Sequence, residues 1–145
     1  MLWHVYLRKG MVFIPTVATT DAGFFMDIDP VSLVESESKQ RVIEEIKATV
    51  AKGNPLVATP ARASFPKPVV VKYANVKSWA AFEKNAFCWK IFKKDSSFQL
   101  RPQRKSLFRG WEDDLSRSET FDGETAIEEL ANSIAEQMQR ITNMS

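Results

Sequence analysis

Imidazole and thiol chemistry in this 145-residue chain rests on single representatives, His4 and Cys88. A Cys–His nucleophile pair needs a thiolate beside a base, yet both residues sit in apolar, strand-like runs, where cysteine ordinarily behaves as an inert small hydrophobe. A zinc site would have to combine His4 and Cys88 with two carboxylates, without a C-x-x-C or H-x-x-x-H pair to nucleate it. Asp27 and Asp29 share a strand face and offer oxygen ligands to magnesium, but Asp-x-Asp-Pro is also how a strand end enters a turn. The phosphate loop, the dinucleotide glycine fingerprint and the G-x-S-x-G elbow are all absent from a chain with five glycines. The residues therefore point to a non-catalytic protein that takes no metal and no cofactor.

Charge is more informative than catalytic inventory. The whole chain carries a formal +2, which by itself implies no partner. That modest sum hides two opposed segments. Between Lys84 and Arg109 lie eight basic residues and one acidic, and from Glu112 to the end lie nine acidic residues against Arg117 and Arg140. Three readings compete for this pattern. Charge runs are usually solvated faces, and lysines on a hairpin protect a sheet edge from pairing. A basic sheet bearing exposed rings would instead hold phosphates and stack bases, with Phe92, Phe108 and Trp111 as the stacking candidates. Lastly, surfaces of opposite sign speed and select protein encounters, and exposed Trp and Arg are common anchors.

The candidate partner-binding residues are accordingly Lys90, Lys93, Lys94, Arg101, Arg104, Lys105, Arg109, Trp111, Glu112, Asp113 and Asp114. Arg109 and Trp111, in a loop hinged by Gly110, are the expected anchors. Two mechanisms follow from the two signs. The acidic 112–124 stretch would imitate phosphates in a basic active site such as a nuclease's, or the 90–105 hairpin would cover an acidic surface. Both assume that the two segments stay unpaired with each other.

These residues need elements to position them. Trp3, Val5 and Leu7 alternate with His4, Tyr6 and Arg8, the period of a half-buried strand. Lys9-Gly10 turns into a second strand over 11–18, where Pro15 demands an edge or a bulge. A third strand carries Phe24, Met26 and Ile28 on one face and Phe25, Asp27 and Asp29 on the other; Pro30 should break it. Ser36 or Ser38 caps a helix striped by Val42, Ile43, Ile46 and Val50, and Gly53-Asn54-Pro55 stops it. Residues 54–68 hold four of the seven prolines and read as extended. Val69 to Tyr73 is β-branched and reads as a strand, and Ser78 caps a short helix with Trp79 and Phe82. A hairpin follows at 87–101, turning at Asp95-Ser96. Thr125-x-x-Glu128 has the form of a capping box opening a long helix striped by Leu130, Ile134 and Met138.

The expected fold is α+β: a mostly antiparallel sheet of about six strands with two main helices packed on it. One domain over 1–145 fits the length, with two halves, 1–53 and 69–142, joined by the proline-rich 54–68 as the variant. One cysteine allows no intrachain disulfide, and the N-terminus lacks a basic region ahead of an apolar stretch, so a cytoplasmic protein without membrane contact is expected. The favoured function is a protein–protein inhibitor or immunity-type module whose partner is a toxin or nuclease. The alternative is a single-stranded nucleic-acid binder using the basic hairpin 87–105.

Overall fold

The computed structural model describes every residue except Phe65, Arg109 and Ser145. Strands β1 (Leu2–Arg8), β2 (Met11–Thr20) and β3 (Phe25–Glu35) are followed by helix α1 (Lys39–Ala51) and the short strand β4 (Leu56–Val57). Helices α2 (Val69–Tyr73) and α3 (Trp79–Lys84) precede the hairpin β5 (Ala86–Lys94) and β6 (Ser97–Lys105). Strands β7 (Trp111–Asp113) and β8 (Glu119–Asp122) lead into α4 (Ala126–Asn143). The fold is α+β, with an eight-stranded sheet ordered β3-β2-β1-β5-β6-β7; β4 lies parallel to β2, and β8 pairs with β6. All remaining pairings are antiparallel. The β1–β5 pairing joins the part of the chain before the proline-rich segment to the part after it.

The sheet buries both faces. Trp3, Val5, Leu7, Ile91 and Leu100 pack with Val42, Ile43 and Ile46 of α1 and with Leu130, Ile134 and Met138 of α4. The two helices are tied across their wet sides by Lys47–Glu128 at 2.6 Å and Lys39–Glu136 at 3.6 Å. On the opposite face Tyr6, Phe13 and Cys88 pack under Val70, Val71 and Phe82. This second layer corrects the sequence expectation twice. The alternation that marks His4, Tyr6 and Arg8 as the wet side holds only in part, because Tyr6 is 4% exposed. And 69–73 is helix α2, not a strand. Its valines bury Val70 and Val71 against β2 and β3, so tertiary packing overrides the β-branched preference.

The prolines are accommodated by one irregularity. Pro15 sits inside β2, which is flanked on both sides, and takes the bulge rather than the edge. The pairs Pro15–Val31 and Thr16–Ile28 leave Asp29 and Pro30 out of register, so β3 runs on through Pro30 instead of ending there. The Asp29–Pro30 bond is cis, and the Thr16 hydroxyl donates to the Pro30 carbonyl at 2.9 Å. Where β1 and β2 diverge, Asn54 bridges them: its side chain accepts from Leu2 N and donates to the carbonyls of Leu2 and Val17.

The helix starts differ in detail from their motifs. Ser38 is the N-cap of α1 without a side-chain cap, while Ser78 caps α3 by accepting from Ala81 N at 3.1 Å. Thr125 is the N-cap of α4, but its hydroxyl bonds Glu129 and Glu128 goes to Lys47, so the capping box is not closed.

Phe82 is fully buried between Tyr6, Phe13 and Trp79. Phe82→Ala should therefore cost about 3–5 kcal/mol in urea denaturation, as a core truncation does. A cost below about 0.5 kcal/mol, the surface range, would mean that this face is wet.

Candidate functional site

The basic hairpin is anchored on one face by the α1/α4 core, and its other face is covered in part by the second layer and β7. Trp89, Ile91, Phe98 and Leu100 point into the α1/α4 core. The Trp89 indole N–H is satisfied there by Gln137 Oε1 at 2.8 Å. The register sets Lys90 opposite Arg101 and Phe92 opposite Gln99. Asp95 turns the chain with φ of 58°.

Strand β7 changes what the two charged segments do. It pairs with the second half of β6, setting Arg104 against Glu112, Gln103 against Asp113 and Lys105 against Trp111. Cross-strand neighbours of opposite sign at this spacing attract. Arg101 Nη1 meets Asp113 Oδ2 at 3.1 Å, and Gln103 donates to Asp113 Oδ1 at 2.8 Å. Arg104 meets Glu112 at 3.0 Å. Asp114 is held below the usual carboxylate range by the Ser116 hydroxyl and Arg117, which it meets at 2.7 Å. Arg101 also lies 4.1 Å over the Phe92 ring and donates from Nε to Gln99.

Trp111 is half-buried and packs on Tyr6 and Trp79. Lys105 lies 4.4 Å over the Trp111 ring and donates to the Glu83 carbonyl; burial lowers its pKa. The expectation of two unpaired surfaces of contrary sign is thus corrected. Glu112, Asp113 and Asp114 are engaged within the molecule, as are Arg101, Arg104 and Lys105. Two of the three stacking candidates, Phe92 and Trp111, are covered by cations and neighbouring rings, while Phe108 is exposed. Arg109 lies outside the described residues.

What remains is the hairpin tip. Lys93, Lys94, Phe92 and Arg101 line a cleft of about 430 Å³ with Ser97 and Thr120. Lys93 stands 5.4 Å over the Phe98 ring, and Lys94 is exposed. Lys90 is half-buried between His4 and Arg101 along the ladder. None of these three lysines has an ion pair among the described residues. Sequence reasoning missed Ser97, Gln99 and Thr120 as lining. Ser97 and Gln99 alternate visibly with Phe98 and Leu100, whereas Thr120 reaches the cleft only because β8 pairs with β6.

The catalytic inventory is consumed by structure. His4 Nδ1 and the Tyr6 hydroxyl take the two oxygens of Asp27, at 2.6 and 2.7 Å. Asp29 instead accepts from Tyr73 and Lys72, so the two aspartates do not converge on one point. Among the described residues no group of three or more metal-ligating side chains forms. The Cys88 thiol is buried and its pKa is pushed up by desolvation, the opposite of what a nucleophile needs. No helix among the described residues is long and apolar enough to cross a membrane.

No protein-family model matches the chain, and no curated protein matches it by sequence. Among the solved structures that share its fold are the following two. One is a protein of unknown function from Neisseria meningitidis, 10% identical over 92% of each chain, with a TM-score of 0.66. The other is a chain of a CdiA-CT/CdiI toxin and immunity complex from Yersinia pseudotuberculosis. It is 11% identical over 94% of this chain and 95% of that one, with a TM-score of 0.63. At such identities the likeness is one of fold.

The Arg101–Asp113 pair leaves its two side chains 31% and 27% exposed, so solvent screens it only partly. A double-mutant cycle with Arg101→Ala and Asp113→Ala should give a coupling of about 1 kcal/mol in urea denaturation. Additive losses would show that the pair does not fasten β7 to β6.

Proposed function

We propose that this chain is a non-catalytic, immunity-type binding protein that neutralises a toxin-like protein partner by covering an acidic surface with the tip of the β5–β6 hairpin. The observation that carries this reading is the likeness of fold, over nearly the full length of both chains, to a chain from a toxin and immunity complex. Fold alone does not confer function, so the choice of surface rests on this chain's own charges.

Of the two mechanisms open to the charged segments, the phosphate-mimic version loses its first three carboxylates to Arg104, Arg101 and Arg117. Freeing them for a partner would leave those arginines unpaired. The hairpin tip needs no such rearrangement. Lys90, Lys93 and Lys94 have no ion pair among the described residues; Lys90 and Lys94 lie on the face away from the α1/α4 core, and Lys93 on the core side over Phe98. Such a preorganised tip loses little freedom on docking, and its field accelerates encounter with an acidic patch.

In this reading the chain acts by binding, and its single thiol, Cys88, is buried. Of the three stacking candidates of the nucleic-acid alternative, Phe92 and Trp111 are covered and Phe108 is exposed, which is a weak stacking platform.

The test is co-expression with the reading frame adjacent to its gene. That neighbour alone should arrest growth, and this chain should relieve the arrest and co-purify with it at one-to-one stoichiometry. Lys93→Glu with Lys94→Glu should abolish relief without moving the urea midpoint. Relief that survives the charge reversal removes the hairpin from the account, and retention of mixed oligonucleotides at low salt by the wild-type chain turns it to nucleic acid.

A further inference from the structure

A second open groove lies away from the hairpin, between the first half of β3 and the segment leading into α2. Its volume is about 770 Å³, within the range of small-molecule sites. Met26 and Ile28 of β3 and Val69, Val71 and Val76 give it an apolar floor. Past Pro66 and Pro68 it continues into a second depression of about 370 Å³, walled by the rings of Phe24, Phe25 and Trp79. The two share Met26, Asp27, Pro66, Lys67 and Pro68, so they adjoin along that wall. Their combined shape suits a chain better than a compact ligand.

The sign of its occupant follows from which charges are spoken for. Both carboxylates in the lining are satisfied from within the protein: Asp27 by His4 and Tyr6, Asp29 by Tyr73 and Lys72. Among the described residues, two lysines on the rim face no carboxylate: Lys67 Nζ reaches the Lys77 carbonyl at 3.3 Å, and the Lys77 ammonium makes no hydrogen bond or ion pair there. An apolar channel with a cationic mouth complements an apolar tail with an anionic head. The walls are also stiff. Pro66 and Pro68 fix their own backbone angles, and α2 is pinned by Val70 and Val71 beneath and by Asp29 at its end.

We infer that this groove binds a medium-chain fatty carboxylate, the tail along Met26 and Ile28 toward Trp79 and the head between Lys67 and Lys77. The inference does not rest on the partner reading, and the two fail independently.

Isothermal titration of the full chain with three probes tests it: dodecanoate, dodecyltrimethylammonium and butyrate, all below the concentrations at which they self-associate. Dodecanoate should bind saturably at one site. Butyrate, which keeps the head and lacks the tail, should bind at least about tenfold more weakly, as should the cationic amphiphile. Lys67→Glu with Lys77→Glu should lower dodecanoate affinity about tenfold, with an unchanged urea midpoint showing that the variant is folded. No saturable dodecanoate binding overturns the inference. So does equal binding of the cationic amphiphile or of butyrate, or full affinity in the charge-reversed variant.

Discussion

Strand β1 lies between β2 and β5, and it is covered on both faces. A strand in that position cannot leave polar backbone or large rings open on either side, so each face requires its own layer. One face receives α1 and α4, the two amphipathic helices. The other receives the short pieces α2 and α3, and Tyr6 and Trp79 of this layer are closed over in turn by Trp111. Trp111 reaches that place only if β7 runs back along β6. The second layer and the β6–β7 pairing are therefore one device, and the charges that line it are part of the device.

That dependence explains why a chain with strongly segregated charge ends up with so little free charge at the centre of the pattern. Each arginine of β6 faces a carboxylate of the following segment, and Lys105 covers the indole that the strand delivers. Individually such pairs stabilise modestly in water, but several along one short ladder set a register, and here the register places Trp111. The cations beyond the reach of β7 are those at the hairpin tip. They are left over by geometry, and the proposed recognition of an acidic partner rests on them.

Much of the architecture was legible from periodicity. The strand period of β1, though not its wet side, the stripes of α1 and α4, the Asp95-Ser96 hairpin turn and the Ser78 cap stand in the structure because each is a local pattern with a local cause. The failures share a different origin. Val69–Tyr73 is strand-like by composition, and only the need to cover Tyr6, Phe13 and Cys88 makes it helical. Pro30 reads as a breaker because the looped-out Asp29 and Pro30 opposite Pro15 depend on the register between two strands. Most consequentially, eight basic residues followed by nine acidic ones look like two surfaces. Nothing local says that Trp111–Asp113 folds back onto the basic strand. Of the expected site residues, Lys90, Lys93 and Lys94 keep uncompensated charge, and Arg104, Lys105, Glu112, Asp113 and Asp114 are drawn into the fold. The groove beside β3 gave no signal at all, since its rim lysines, Lys67 within the proline-rich segment and Lys77 beyond it, are separated from Met26 and Ile28 by the whole of α1.

Amide hydrogen exchange on the chain alone and bound to its co-purifying partner separates a docking tip from a docking strand. New protection should be concentrated at residues 92–99, with the amides of 111–114 equally protected in both states because β7 is already paired. Protection that instead arises at 111–117 on binding, with the tip unchanged, would contradict the assignment of the acidic segment to structure and of the hairpin tip to recognition.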